Sequence, residues 1–193
     1  FPKVQQGFVK KEELPDGSIG SAQSFVFNLD REVWTDPNVR EAARLMFNFE
    51  WSNETLFFGL YERVNSFWEN SPLEATGAPD ADEIAILQPM VDAGLVQPSI
   101  LTDEAVLAPT SSNRAFDRRN LRAASAALDE AGWVLNDEGL RVKDGQTLSL
   151  DILSFSPAFD RIIFPYVENL RRVGFDANLE RVDIAHYRER RRT

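Results

Sequence analysis

One segment, residues 148–182, constrains the fold more than any other part of the sequence. It begins with an apolar run that predicts a strand: Leu148, Leu150, Ile152 and Leu153. The pair Ser156-Pro157 then opens a helix whose apolar residues recur at helical spacing up to Gly174: Ile162, Ile163, Tyr166, Val167, Leu170 and Val173. Residues 175–182 alternate as a second strand. Because a strand, a helix and a strand in that order form a crossover unit, we expect the two strands to pair in parallel with a right-handed connection.

Further helices are predicted from their capping residues. Asp36-Pro37 supplies an N-cap and a proline at the first helical position, and a short second helix follows over residues 51–60. Asp80 with Glu83 resembles a capping box at the start of another helix. Asp117 caps a helix that Gly132 ends. The helices and strands together predict an α/β fold with a mixed sheet packed against helices.

The remaining segments predict strands, turns and one irregular run. Residues 24–29 follow the turn-rich residues 15–18 and predict a strand with Phe25, Phe27 and Leu29 facing the core. Turns at residues 136–139 and 143–145 separate short strands. Residues 96–116 predict an exposed excursion between two halves of the chain. A helix that starts near Asp183 reaches the last residue without a closing element, which predicts a truncated fragment.

Composition excludes several classes of partner. The 193 residues include 21 Lys plus Arg and 31 Asp plus Glu, a formal net charge of −10 that repels nucleic acid and anionic lipid. No stretch approaches the roughly 20 apolar residues of a membrane span, so membrane insertion is not expected. The sequence has no Cys, which excludes disulfides and thiolate metal sites. The 14 Phe and 4 Trp residues suffice for a packed core.

Several ordered motifs carry a family resemblance. Residues 36–42 (DPNVREA) resemble the "D-x-x-V-R-x-A" helix start of the extracellular solute-binding proteins that serve peptide and nickel ABC importers. Residues 25–28 match the strand that precedes this helix in the family. Further along, residues 128–133 resemble "L-x-x-A-G-W", residues 144–150 "D-G-x-x-L-x-L", residues 169–175 "L-x-x-x-G-I/F" and residues 182–187 "V-D-x-x-x-Y".

The resemblance implies a type II periplasmic-binding-protein lobe. Residues 1–193 would form a fragment of the second lobe of a two-lobe protein that captures oligopeptides in the periplasm and delivers them to an ABC permease with ATPase subunits. Residues 47–59 and 66–71 look most like the branch that imports longer peptides and microcin C. No cofactor, no metal and no catalysis are implied.

The strand-to-helix loop at residues 154–161 contains the first candidate ligand-binding residues. The loop lies between the carboxyl end of a strand and a helix N-terminus, where exposed N–H groups favour an anion. In dipeptide- and oligopeptide-binding relatives this stretch supplies a basic residue for the ligand carboxylate, and Arg161 is the matching side chain. Ser156 and Phe159 are further candidates in the same loop. The alternative is a surface Arg161 paired with a nearby acid.

Aromatic residues of another loop, over residues 61–79, are candidates for the ligand cleft. Tyr61, Phe67 and Trp68 occur among polar residues, and aromatic loop residues often stack on ligands. The alternative is a loop attached to its own lobe by buried rings.

The sequence leaves two other function classes open, a hydrolase and an interaction module. A hydrolase would need His186, the single histidine, but the sequence contains no nucleophile-elbow motif. A pure interaction module would dock a membrane partner through residues 96–116.

Overall fold

The computed structural model describes residues 1–10, 12, 14, 17, 18 and 23–192. Of the predicted turn at residues 15–18, Pro15 and Asp16 lie outside the described residues. The chain divides into two compact units. The first unit contains residues 1–23 and 64–107, and the second contains residues 24–63 and 108–193.

Helices and strands are named in chain order. In the described ranges the helices are α1 (Pro2–Gln5), α2 (Pro37–Leu45), α3 (Phe49–Phe57), α4 (Ala81–Asp92), α5 (Arg118–Glu130), α6 (Asp160–Arg172) and α7 (Ile184–Arg190). The strands are β1 (Val134–Leu135), β2 (Arg141–Lys143), β3 (Gln146–Thr147), β4 (Ser149–Ser154) and β5 (Asp176–Arg181). Short 3₁₀ helices occupy Glu32–Trp34, Pro98–Leu101 and Pro157–Phe159.

The predicted crossover unit is confirmed. Strands β4 and β5 pair in parallel, in a register that runs from Ser149 opposite Asp176 to Ser154 opposite Arg181. Helix α6 connects them and buries the inward side chains Ile163, Tyr166, Val167 and Leu170. The apolar spacing read from the sequence is therefore the face that packs on the core.

The short strands beside the crossover form an antiparallel sheet in the order β1, β2, β3. This sheet is joined to the crossover at Gly174, whose carbonyl accepts the N–H of Arg141 at 2.8 Å. Gly174 has φ +102°, and a Cβ there would lie 2.7 Å from Cγ of Arg141. Only glycine satisfies both the backbone angle and the close approach.

The core of the second unit lies between α2, α5, α6 and the parallel pair. Asp36 and Asp117 cap α2 and α5 as predicted: Asp36 accepts the N–H of Asn38, and Asp117 accepts the N–H groups of Arg119 and Asn120. The buried apolar residues are Trp34, Val39, Ala42, Ala43, Met46, Ala124, Leu128, Ala131, Trp133, Leu148, Leu150, Ile152, Ile163, Tyr166, Val167, Leu170, Val173, Phe175 and Ala177. This set provides the hydrophobic driving force for the second unit.

The strand predicted over residues 24–29 is absent, and this prediction is wrong. No described strand pairs with the segment, and β-structure needs a neighbouring backbone to accept its hydrogen bonds. The two aromatic side chains still contact core rings: Phe27 is half-buried and stacks on Trp34 with ring centroids 4.9 Å apart, and Phe25, although 40% exposed, lies 5.2 Å from Tyr166. Leu29, expected in the core, is exposed. The alternation of aromatic residues over 24–29 therefore reflects side-chain packing without the hydrogen bonds of a paired strand.

The first unit contains α4 and the loops around it. The Asp80 and Glu83 side chains form the predicted capping box. Gly94 ends the helix region with φ +70°, and Ala105 donates its N–H to the Gly77 carbonyl at 2.7 Å. No residue of α4 is buried. None of the helices in the described residues combines the length and the apolar character that a bilayer span requires.

Candidate functional site

The candidate site lies in the second unit, where the carboxyl ends of β4 and β5 meet. Because the two strands are parallel, their last residues, Ser154 and Arg181, are cross-strand neighbours. The chain leaves β4 through Phe155 and Ser156, makes the 3₁₀ helix and enters α6 at Asp160. The strand ends and the first turn of α6 thus share one edge of the unit. Such an edge is where open α/β sheets place their ligands.

Arg161 stands in the first turn of α6 and stacks on an aromatic ring. Its guanidinium carbon lies 5.0 Å from the ring centroid of Phe57, the last residue of α3. The Phe57 ring in turn meets Tyr61 edge to face, with centroids 4.8 Å apart. In the described part of the chain Arg161 forms no ion pair, so the predicted alternative of a surface arginine held by an acid is not what the structure shows. The Arg161 side chain is therefore oriented by a ring, and the residue is exposed.

The neighbouring acid, Asp160, is paired with a different arginine. Arg181, at the end of β5, forms an ion pair with the Asp160 carboxylate. A second nitrogen of Arg181 donates to Oγ of buried Ser154 at 3.1 Å. About a third of each partner's side chain is exposed, 32% for Arg181 and 33% for Asp160. One guanidinium therefore connects the ends of both strands to the start of α6.

Ser156 and Phe159 have contacts within their own loop and core. The Ser156 hydroxyl accepts the N–H of Ala158 at 3.4 Å and so caps the 3₁₀ helix. Phe159 is half-buried and packs against the core cluster. Both residues shape the turn that presents Arg161, and their contact with a ligand stays a prediction.

The three candidate aromatic residues belong to two different units. Tyr61 is in the second unit, 58% exposed, with its backbone N–H and carbonyl both bonded to the Asn53 side chain. Phe67 and Trp68 are in the first unit, 84% and 52% exposed. All three residues are exposed, so they do not match the alternative in which buried rings attach this loop to its own lobe. The structure brings Tyr61 to the cluster formed by Phe57 and Arg161.

Sequence reasoning missed a second aromatic pair at the same edge. Phe155, the first residue after β4, lies 4.8 Å from Tyr187 of α7, measured between ring centroids. Phe155 is 42% exposed. The signal was available, since Phe155 directly follows a predicted parallel strand. The sequence analysis also did not identify Phe57 and Arg181 as residues of the site.

The single histidine lies on the exposed surface of α7. Nδ1 of His186 is 2.8 Å from the carboxylate of Asp183, the N-cap residue of this helix. The N–H groups of His186 and Ala185 bond to that carboxylate and hold the pKa of Asp183 below its usual value. These contacts are those of a helix cap. Within the described ranges, no three His, Cys, Asp or Glu side chains gather as metal ligands would.

Comparison with known proteins identifies the family. The model of bacterial extracellular solute-binding proteins, family 5 middle region, matches residues 3–193. A protein of Agrobacterium fabrum named "Probable peptide-binding protein YejA" is 38% identical over 196 residues, which is 100% of this chain and 31% of that protein. The chain thus spans about a third of the length of this relative.

Solved structures agree on the fold. NikZ from Campylobacter jejuni, in complex with Ni(L-His), superposes with a TM-score of 0.58 at 18% identity, covering 82% of this chain and 25% of that one. AppA from Bacillus subtilis, in complex with a nonapeptide, gives 0.55 at 20% identity, covering 84% and 26%. At these identities the likeness shows the fold alone, a type II periplasmic-binding-protein architecture with mixed helices and strands. Because the family model matches residues 3–193 and the Agrobacterium fabrum relative is 38% identical over the whole chain, the chain belongs to the family 5 bacterial extracellular solute-binding proteins.

Proposed function

We propose that this chain is the second-lobe part, over residues 1–193, of a periplasmic protein that captures oligopeptides for an ABC importer. Three facts support the proposal: the family match, the relative that is named a probable peptide-binding protein, and the share of that relative, 31%, that the chain spans. A permease and ATPase subunits are the proposed partners. The protein binds its ligand without altering it.

Arg161 is the single observation that carries the proposal. Its guanidinium is held over Phe57 at 5.0 Å, has no ion pair among the described residues and stands at the start of a 13-residue helix. The positive end of the helix dipole and the free donors favour the same ligand group, an anion such as a peptide carboxylate. A guanidinium that is already oriented loses little conformational freedom on binding.

An oligopeptide fits the rest of this edge better than a small chelate. A peptide binder must accept any side chain, so its affinity comes from main-chain hydrogen bonds, the terminal charges and roomy side-chain pockets. The exposed ring of Tyr61, which meets the Phe57 ring under Arg161, and the exposed ring of Phe155 at the end of β4 offer sequence-tolerant surface. The relative that shares 38% identity is named for peptides, whereas the nickel-binding neighbour shares 18% and speaks only for the fold.

Isothermal titration calorimetry tests the proposal. The full product of the gene that encodes this chain is titrated with tetra-alanine and, separately, with its C-terminal amide. We expect Arg161→Ala to weaken binding of tetra-alanine about 10- to 100-fold, the size of one lost charge-assisted hydrogen-bond pair, and to change binding of the amide far less. The matched control is Arg122→Ala, an exposed arginine on α5.

Three outcomes would contradict the proposal. Equal losses for both peptides would remove the carboxylate assignment. Binding of neither peptide by the wild type would refute recognition through main chain and termini. Cleavage of tetra-alanine, detected by mass spectrometry of the titrated solution, would favour the hydrolase alternative.

A further inference from the structure

The acid beside Arg161 poses a problem for a carboxylate site. Asp160 is the first residue of α6 and Arg161 is the second, so a carboxylate side chain stands next to the cation that would bind the ligand. Two unit negative charges roughly 10 Å apart, at an effective dielectric constant of about 20, repel enough to change affinity about tenfold. An unpaired Asp160 would therefore oppose the ligand's carboxylate.

The structure resolves this conflict through Arg181. Its guanidinium pairs with Asp160 and also donates to Ser154 Oγ at 3.1 Å. The Ser154 contact and the strand pairing hold Arg181 at the end of β5, so its charge is fixed on the Asp160 side of the turn. Arg161 is directed to the Phe57 ring instead. The two arginines thus have separate partners.

We propose that Arg181 is a positioning residue for ligand binding: it neutralises Asp160 and so keeps Arg161 available for the carboxylate of a peptide. This inference rests on the proposed function and deepens it, because it assigns a role to an arginine other than the one proposed to bind the carboxylate. A merely structural Arg181 would fasten α6 to the strands and would affect every peptide equally. The charge role affects only peptides with a free carboxylate.

The experiment combines two substitutions, made singly and together, with two probes. Calorimetry on the full gene product compares Arg181→Gln, Asp160→Asn and the double variant, each titrated with tetra-alanine and with tetra-alanine amide. Glutamine keeps a donor for Ser154 and removes the charge. We expect Arg181→Gln to weaken tetra-alanine binding about tenfold and amide binding less than about twofold. Adding Asp160→Asn should restore tetra-alanine binding to within about threefold of wild type, because the repelling charge is gone.

Asp160→Asn alone gives an independent reading if Arg181→Gln fails to fold, which circular dichroism reveals. With Arg181 left positive beside the site, this variant should bind tetra-alanine roughly two- to fivefold more tightly than wild type. Weaker binding would overturn the inference.

Other outcomes separate this inference from the proposed function. Equal losses for both peptides in Arg181→Gln, or no recovery in the double variant, overturn the positioning role while the carboxylate site stands. If Arg161→Ala fails to discriminate between the two probes, the proposed function falls, and this inference falls with it.

Discussion

Arg141 is a buried cation whose loss should destabilise the second unit. It is 1% exposed and lies in β2, where it reaches the end of α5 and the turn between α6 and β5. Its guanidinium donates to the carbonyls of Trp133 at 2.7 Å and Val173 at 3.3 Å, and to Oγ of Ser125 at 2.5 Å. It also pairs with Asp129. We consider Arg141→Met, which keeps most of the side-chain volume and removes every side-chain donor.

The expected loss of stability follows from these partners. The carbonyls of Trp133 and Val173 would each lose a buried donor, at about 1 to 2 kcal/mol apiece. The Asp129 side chain is 63% exposed, so water replaces its partner and its share is about 0 to 1 kcal/mol. Relief of the cost of burying a cation offsets part of this sum. We expect the free energy of unfolding to fall by about 2 to 4 kcal/mol.

Urea unfolding, followed by tryptophan fluorescence, measures this change. Trp34 and Trp133 are buried in the second unit and report on its core. With a urea slope of about 2 kcal/mol/M, the midpoint should fall by about 1 to 2 M. Arg122→Met, at an exposed position of α5, is the matched control and should shift the midpoint by less than about 0.3 M.

A neutral or stabilising Arg141→Met would refute the reasoning. That result would mean that the desolvation of the buried cation outweighs its hydrogen bonds. A change in the slope instead of the midpoint would mean that the variant alters the compactness of the native or denatured state.

Two further predictions concern buried hydrogen bonds of α6. The Tyr166 hydroxyl donates to the Ala43 carbonyl at 3.0 Å, and burial raises the pKa of Tyr166. The contribution of Tyr166 to stability should therefore be complete below the unfolded-state pKa of about 10 and decrease as pH rises above it. Tyr166→Phe should lower the free energy of unfolding by about 1 to 2 kcal/mol at neutral pH. The variant's urea midpoint should also decrease less at alkaline pH than that of the wild type. Asn169 donates to the carbonyls of Met46 and Ala115, each at 3.2 Å, so Asn169→Leu should lower the free energy of unfolding by about 2 to 3 kcal/mol in the same assay. A loss below 1 kcal/mol for Asn169→Leu would mean that water replaces the amide.

Local signals predicted most elements of the second unit. Helices α2 and α5 begin at Asp36 and Asp117 because a cap and an amphipathic face act within a few residues. The β4, α6, β5 crossover followed from two apolar strands around a helix. Residues 24–29 carried a similar strand pattern and failed, because a strand exists only where another strand accepts its hydrogen bonds. Periodicity reports which side chains pack and leaves the pairing unspecified.

The burial of Arg141 could not be predicted from its surroundings in sequence. Its neighbours Leu140 and Val142 mark a strand, and an arginine there is normally on the solvent face. Burial becomes tolerable only because Ser125 and Val173, distant in sequence, bring acceptors to one point. Such convergence is a property of the tertiary structure.

Parallel pairing of β4 and β5 places the ends of both strands at the candidate site. Once residues 148–153 and 175–182 are predicted to pair in parallel, both carboxyl ends must lie at one edge. Applied to the first strand, the rule indicates the loop at residues 154–161, in which the family resemblance then singled out Arg161. Applied to the second strand, it leads to Arg181. Which arginine pairs with Asp160 was not decidable from sequence, because it depends on the reach of Arg181 across the strand ends and on the Phe57 ring that α3 supplies. Since this choice of partner decides which cation remains for a ligand, the affinity of the site for a carboxylate depends on contacts that join three separate segments of the chain.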